Sequence, residues 1–127
     1  MSHFTKIKTK LYNLDTLKKS LSDLNLEWSS NETEVRGYQG QKNSAELVIK
    51  QENNHDIGFK WNGKEYELVT DLMFWSQPYS VDKFLNQVNQ RYAYNSILQV
   101  SEKEGFNFTE SENNQDGSVR LVLRRFR

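Results

Sequence analysis

An Asn62-Gly63 pair stands between two short runs of alternating, aromatic-rich residues, Ile57-Gly58-Phe59-Lys60-Trp61 and Tyr66-Glu67-Leu68-Val69. Asn-Gly in that setting is the strongest short-range sign of a β-hairpin. A type I′ turn needs positive φ at both central residues, and Asn and Gly adopt it at little steric cost. The pair commits the chain to antiparallel strands. It carries no chemistry.

Phe4 to Leu11 alternates with Phe4, Lys6, Lys8 and Lys10 on one side, which reads as a half-exposed strand. Leu14, Leu17, Leu21 and Leu24 recur at helical spacing, with Asn13 or Asp15 as cap and Asn25 near the end. Leu26 to Trp28 reads as the beginning of a strand or its lead-in, Val35 to Tyr38 and Ala45 to Lys50 as strands, and Gly40 to Ser44 as a turn. After an aromatic connector that holds Trp75, Pro78 and Tyr79, Ser80 opens a second helix, which ends at Gly105. A last hairpin follows around the loop from Asn113 to Gly117.

With 127 residues, these elements form a single domain spanning residues 1–127. The fold class they predict is α+β: an antiparallel β-sheet of roughly five to seven strands with two helices packed on one face. Leu17, Leu21, Leu47, Ile49, Phe84, Val88 and Leu121 are the expected helix–sheet core.

Composition narrows the function classes. Aromatic residues make up 13% of the chain, against the disordered signature of few rings and high net charge. Seventeen basic and seventeen acidic residues cancel, whereas nucleic-acid binders usually carry a basic excess. No cysteine is present, which removes disulfides, thiolate metal sites and thiol nucleophiles. No apolar run approaches the roughly 20 residues that span a bilayer. Glycine-rich phosphate loops, the GxSxG elbow and HExxH are absent, so no catalytic residue, cofactor or metal site is expected.

Several segments have a family likeness: Met1-Ser2-His3-Phe4-Thr5-Lys6-Ile7-Lys8-Thr9, Glu34-Val35-Arg36-Gly37-Tyr38, the stretch from Asp56 to Gly63, Tyr66-Glu67-Leu68-Val69 and Gln90-Arg91-Tyr92-Ala93-Tyr94. Together, and in this order, they resemble the plastid and cyanobacterial family called hypothetical chloroplast reading frame thirty-five. The resemblance implies a plastid-encoded protein of the chloroplast stroma, or a cytoplasmic one in a cyanobacterial relative. It implies no activity.

Three candidate surfaces remain. Arg36, Tyr38, Trp75, Tyr79, Arg91 and Tyr92 combine the residue types enriched at protein–protein hot spots, and suit a non-enzymatic interaction or assembly module. The same rings could instead fill the helix–sheet interface. Lys6, Lys8, Lys10, Arg120 and Arg124 would make an RNA platform if the first and last strands lie side by side, or would simply protect an edge. Glu65, Glu67 and Asp71 could form an acid/base pair in a small enzyme, or a solvent-facing strand surface. His3 and His55 read as ordinary surface residues.

Overall fold

Alternation between Ile57 and Thr70 does fold back on itself, through a longer turn than Asn62-Gly63 suggests. β5 (Ile57–Trp61) pairs antiparallel with β6 (Tyr66–Thr70), and Trp61 opposite Tyr66 is the pair nearest the turn. Residues 62–65 close the hairpin. Gly63 has φ +99°, but Asn62 is not left-handed. Its side-chain oxygen instead accepts the Lys64 and Glu65 amides, both at 2.9 Å, and its own amide donates to the Glu65 carbonyl at 3.0 Å. An Asx turn replaces the type I′ turn because it satisfies two amides with one side chain.

The computed structural model describes residues 4–30, 34–37, 40, 42–103, 106–113 and 119–125, with those from 103 onward described by their backbone path alone. β1 (Thr5–Lys8), β6, β5 and β4 (Leu47–Ile49) form a four-stranded antiparallel sheet in the order β1-β6-β5-β4. The register places Ile7, Leu68, Phe59 and Leu47 in one row across it, and Lys6, Val69, Gly58 and Val48 in the neighbouring row on the opposite face. α1 (Leu14–Asp23) and α2 (Val81–Lys103) cover the first face, where Leu17, Leu21, Phe84 and Val88 meet Leu47, Ile49, Ile57, Phe59 and Leu68. The side chain of Leu121 lies outside the described residues, as do Gly105 and residues 114–118. The fold is α+β with both helices on one face of the main sheet.

It is not built on a single sheet. β2 (Glu34–Arg36) pairs with β3 (Lys42–Ser44), and β7 (Phe106–Asn113) with β8 (Val119–Arg125), each as a separate two-stranded sheet. Gly58 explains the first of these. A Cβ there would lie 2.3 Å from Val35 Cγ2 and 3.0 Å from the Ala45 methyl. With no side chain at Gly58, Val35 seats against the sheet's second face, so the β2–β3 hairpin covers that face instead of extending an edge. Residues 42–44, expected as a turn, become strand because they pair with β2. Leu26 to Trp28 forms no strand of its own but leads into Ser29, which bridges to Val48.

Gly58→Ala should therefore cost about 1–3 kcal/mol by overpacking. Chemical denaturation checks this, and Val35→Ala in the same chain should restore part of the loss. No restoration would mean the strain lies elsewhere.

Candidate functional site

Leaving β6, the chain must turn sharply toward α2, and a polar cluster holds that turn. Asp71 is buried and its Oδ1 accepts the Met73 amide at 3.1 Å, capping a single 3-10 turn over Leu72–Phe74. Gln51, only 5% exposed, reaches across from the β4–β5 loop. Its Nε2 donates to the His55 carbonyl at 2.6 Å and to the Phe74 carbonyl at 3.3 Å. Its Oε1 accepts the Ser76 amide at 2.9 Å and Gln77 Nε2 at 3.0 Å. Asn53 Nδ2 adds a 2.8 Å bond to the Phe74 carbonyl. The His55 ring stacks on Phe74 with centroids 3.9 Å apart.

The connector's far end is equally tied. Trp75 Nε1 donates to the Tyr79 carbonyl at 2.7 Å, and the indole meets Phe84 edge-on at 5.2 Å. Ser80 Oγ accepts the Lys83 amide at 3.2 Å, confirming it as the start of α2. On this fastened turn, Leu72 is 43% exposed and Met73 71% exposed.

Beneath it sits an ion pair. The Asp56 side chain is fully buried and takes Arg36 Nε at 2.8 Å and Nη2 at 2.9 Å, a two-point grip. It also accepts the Arg36 amide at 3.0 Å and the Gln51 amide at 3.3 Å, while Arg36 Nη1 reaches Asn54 Oδ1 at 2.9 Å. Burial pushes the Asp56 carboxyl up, but the hydrogen bonds and charge of Arg36, with the Gln51 amide, outweigh it and leave the group below the usual carboxylate value. Arg36 is thereby linked, through Asp56 and Gln51, to the turn that carries Leu72 and Met73.

The other expected contact residues serve the helix seam. Arg91 Nε donates to Asp23 Oδ2 at 2.9 Å, its guanidinium lies 4.2 Å from the Tyr94 ring, and Asn95 joins the pair to Ser20. Burial raises Asp23, yet the bonds from Asn95 and Arg91 bring it net below its usual value. Tyr92 Oη accepts the Asn13 amide at 2.9 Å, where Asn13 caps α1. The structure thus brings Trp75 and Tyr79 together, ties Arg36 to them indirectly, and turns the polar groups of Arg91 and Tyr92 to α1 and its cap. Tyr38 lies outside the described residues.

Lys6, Lys8 and Lys10 are exposed, but β1 and β8 belong to different sheets, so strand pairing does not join them to Arg120 and Arg124. Glu65 falls in the hairpin turn, Glu67 stands between Lys60 and Lys8 across the strands, and Asp71 is a cap. The three carboxylates have three separate settings. His55 is half-buried and stacked, not an ordinary surface residue, because the turn packs Phe74 onto it. His3 lies outside the described residues. Among the described residues, no three His, Cys, Asp or Glu side chains gather to hold a metal ion, and no helix is long and apolar enough to cross a membrane. A shallow groove of about 690 Å³ runs past Ser22, Asn25, Leu26, Glu27 and Trp28.

Gln51, Asn53, Asp56, Leu72 and Met73 were not legible as a site. Only the turn composition of Asn53 to Asp56 hinted at polar contacts, and Gln51 gave no signal.

Comparison with known proteins gives a family but no activity. A family described as "Protein of unknown function (DUF1257)" matches residues 20–122. An "Uncharacterized protein ycf35" of Guillardia theta is 52% identical over 127 residues, covering 100% of this chain and 99% of the relative. Its counterparts in Cyanophora paradoxa and Pyropia yezoensis are 43% and 40% identical, covering 100% and 99% of this chain and 99% and 98% of their own. These relatives are plastid-genome proteins of algae, which implies plastid encoding. No solved structure matches.

Proposed function

The chain belongs to the DUF1257 family of proteins of unknown function, and from that premise we propose that it is a non-enzymatic protein-interaction module of the plastid stroma, whose partner seats on Leu72 and Met73. One observation carries this reading: two adjacent apolar side chains are displayed to solvent on a turn that Asp71, Gln51 and Asn53 hold rigid. A turn whose backbone is fastened in advance leaves less loop ordering to be done when a partner binds. The Met73 thioether adapts its shape to an apolar pocket. Trp75 and Tyr79 prop the turn from behind, and Arg36 steadies its base.

The double variant Leu72→Asp, Met73→Asp tests it. Both positions are exposed, so stability should change by no more than about 1 kcal/mol in a urea melt. Recovery of a reproducible partner from plastid stroma should fall at least about tenfold, since each side chain loses apolar burial in the complex. Equal recovery by wild type and variant, or no reproducible partner at all, would count against the proposal.

A further inference from the structure

A second surface, the edge of β1, whose Thr5 pairs with Thr70 just ahead of the Leu72–Met73 turn, points to a contact of its own. We propose that the outer edge of β1 accepts an extended, acidic segment of a partner protein as a fifth strand of the main sheet.

The sheet's two edges are treated differently. On β4, the Ser29 amide donates to the Val48 carbonyl at 2.8 Å and the Val48 amide to the Ser29 carbonyl at 2.9 Å, so the chain itself covers that side. β1 pairs with β6 on its inner side, and among the described residues none hydrogen-bonds to its outer side. Such a row of backbone donors and acceptors is a template for strand addition.

The side chains of β1 say which strand fits. Ile7 lies on the helix face, packed against the core, while Lys6 and Lys8 are exposed on the opposite face and Lys10 is exposed just beyond the strand. Across the β1–β6 pair, Lys8 faces Glu67, which stands between Lys8 and Lys60. Lys6 faces Val69, so no carboxylate opposes it from β6. An incoming strand with acidic residues on the lysine face and apolar residues beside Ile7 matches both sides of β1. The same lysines repel a second copy, because like charges directly opposite one another across a strand pair are destabilising. Lysine on this edge is therefore selective as well as protective.

The test uses the full chain and two labelled eight-residue peptides, one of alternating Glu and Val and one of alternating Lys and Val. Fluorescence anisotropy should show the acidic peptide binding at least about tenfold more tightly, two favourable charge pairs being exchanged for two repulsive ones. Hydrogen exchange at Thr5–Lys8 should slow in its presence. Lys6→Glu with Lys8→Glu should invert the preference, and if that variant does not fold, Lys6→Gln with Lys8→Gln should abolish it. Peptides that bind alike, binding without slowed exchange at β1, or self-association through β1 that the acidic peptide does not displace would each overturn the proposal. Met73→Gln, which adds no charge beside the edge, should leave peptide binding unchanged, which separates this contact from the turn's.

Discussion

Asp56→Ala is expected to destabilise the protein by about 3–5 kcal/mol, the range for removing one partner of a buried ion pair. Arg36 sets the lower end, because its side chain is 38% exposed and can recover some water. The Arg36 and Gln51 amides cannot do so as readily, since Asp56 is their acceptor in the folded chain and Gln51 is buried. Domains of this size are stable by only about 5–15 kcal/mol. The variant should therefore show a far lower urea midpoint at similar slope. A loss under about 1 kcal/mol would mean that water replaces the carboxylate without penalty.

The same carboxylate gives stability a pH dependence of known sign. Its folded value lies below the ordinary 3.8, so the unfolded chain binds the proton more readily. The contribution is present above the ordinary value and is lost as pH falls below it toward the folded value. Asp23 acts in the same direction. Urea melts between pH 7 and pH 3 should thus show wild type losing stability in the acid arm. Asp56→Asn should flatten that loss while lowering stability at pH 7. The site also loosens with it: once Asp56 is replaced, Gln51 loses an anchor and the turn that presents Leu72 and Met73 is less firmly held.

Phe59→Ala should cost about 3–5 kcal/mol through a different cause, the cavity left by a large core side chain. Phe59 is fully buried, pairs with Leu47 on one side and Leu68 on the other, and faces the helices that carry Leu17, Leu21, Phe84 and Val88. Thermal unfolding should shift down by about 12–20 °C. Unlike Asp56→Ala, whose effect shrinks once the pH falls below the ordinary carboxylate value, the loss should vary little between pH 7 and pH 3, because no proton is involved. A pH-dependent loss at this position would contradict the assignment of Phe59 to a purely apolar contact.

The functional reading is where tertiary structure changed most. The aromatic residues Trp75, Tyr79 and Tyr92 are partly buried, and all three pack against the core. The exposed pair beside them, Leu72 and Met73, looked like ordinary connector. Burial depends on what packs opposite a residue, and a short irregular segment has no period from which to infer it. The partner of Arg36 was equally hidden. Asp56 lies 20 positions away in the chain and comes within reach only because β2 folds across the second face of the sheet.

Local chemistry alone determined much of the rest. Leucines at helical spacing placed α1, Asn13 capped it, Ser80 opened α2, and period-two alternation put Lys6 and Lys8 opposite Ile7. These features depend on neighbours within a few residues, so the order of amino acids suffices. Three sheets among the described residues in place of one, the hairpin lying over Gly58, and the clamp of Gln51 and Asp56 on the turn required the folded chain. Each depends on whether two distant segments find room against each other, and that is decided by volume and by unsatisfied hydrogen bonds, neither of which has a local signature.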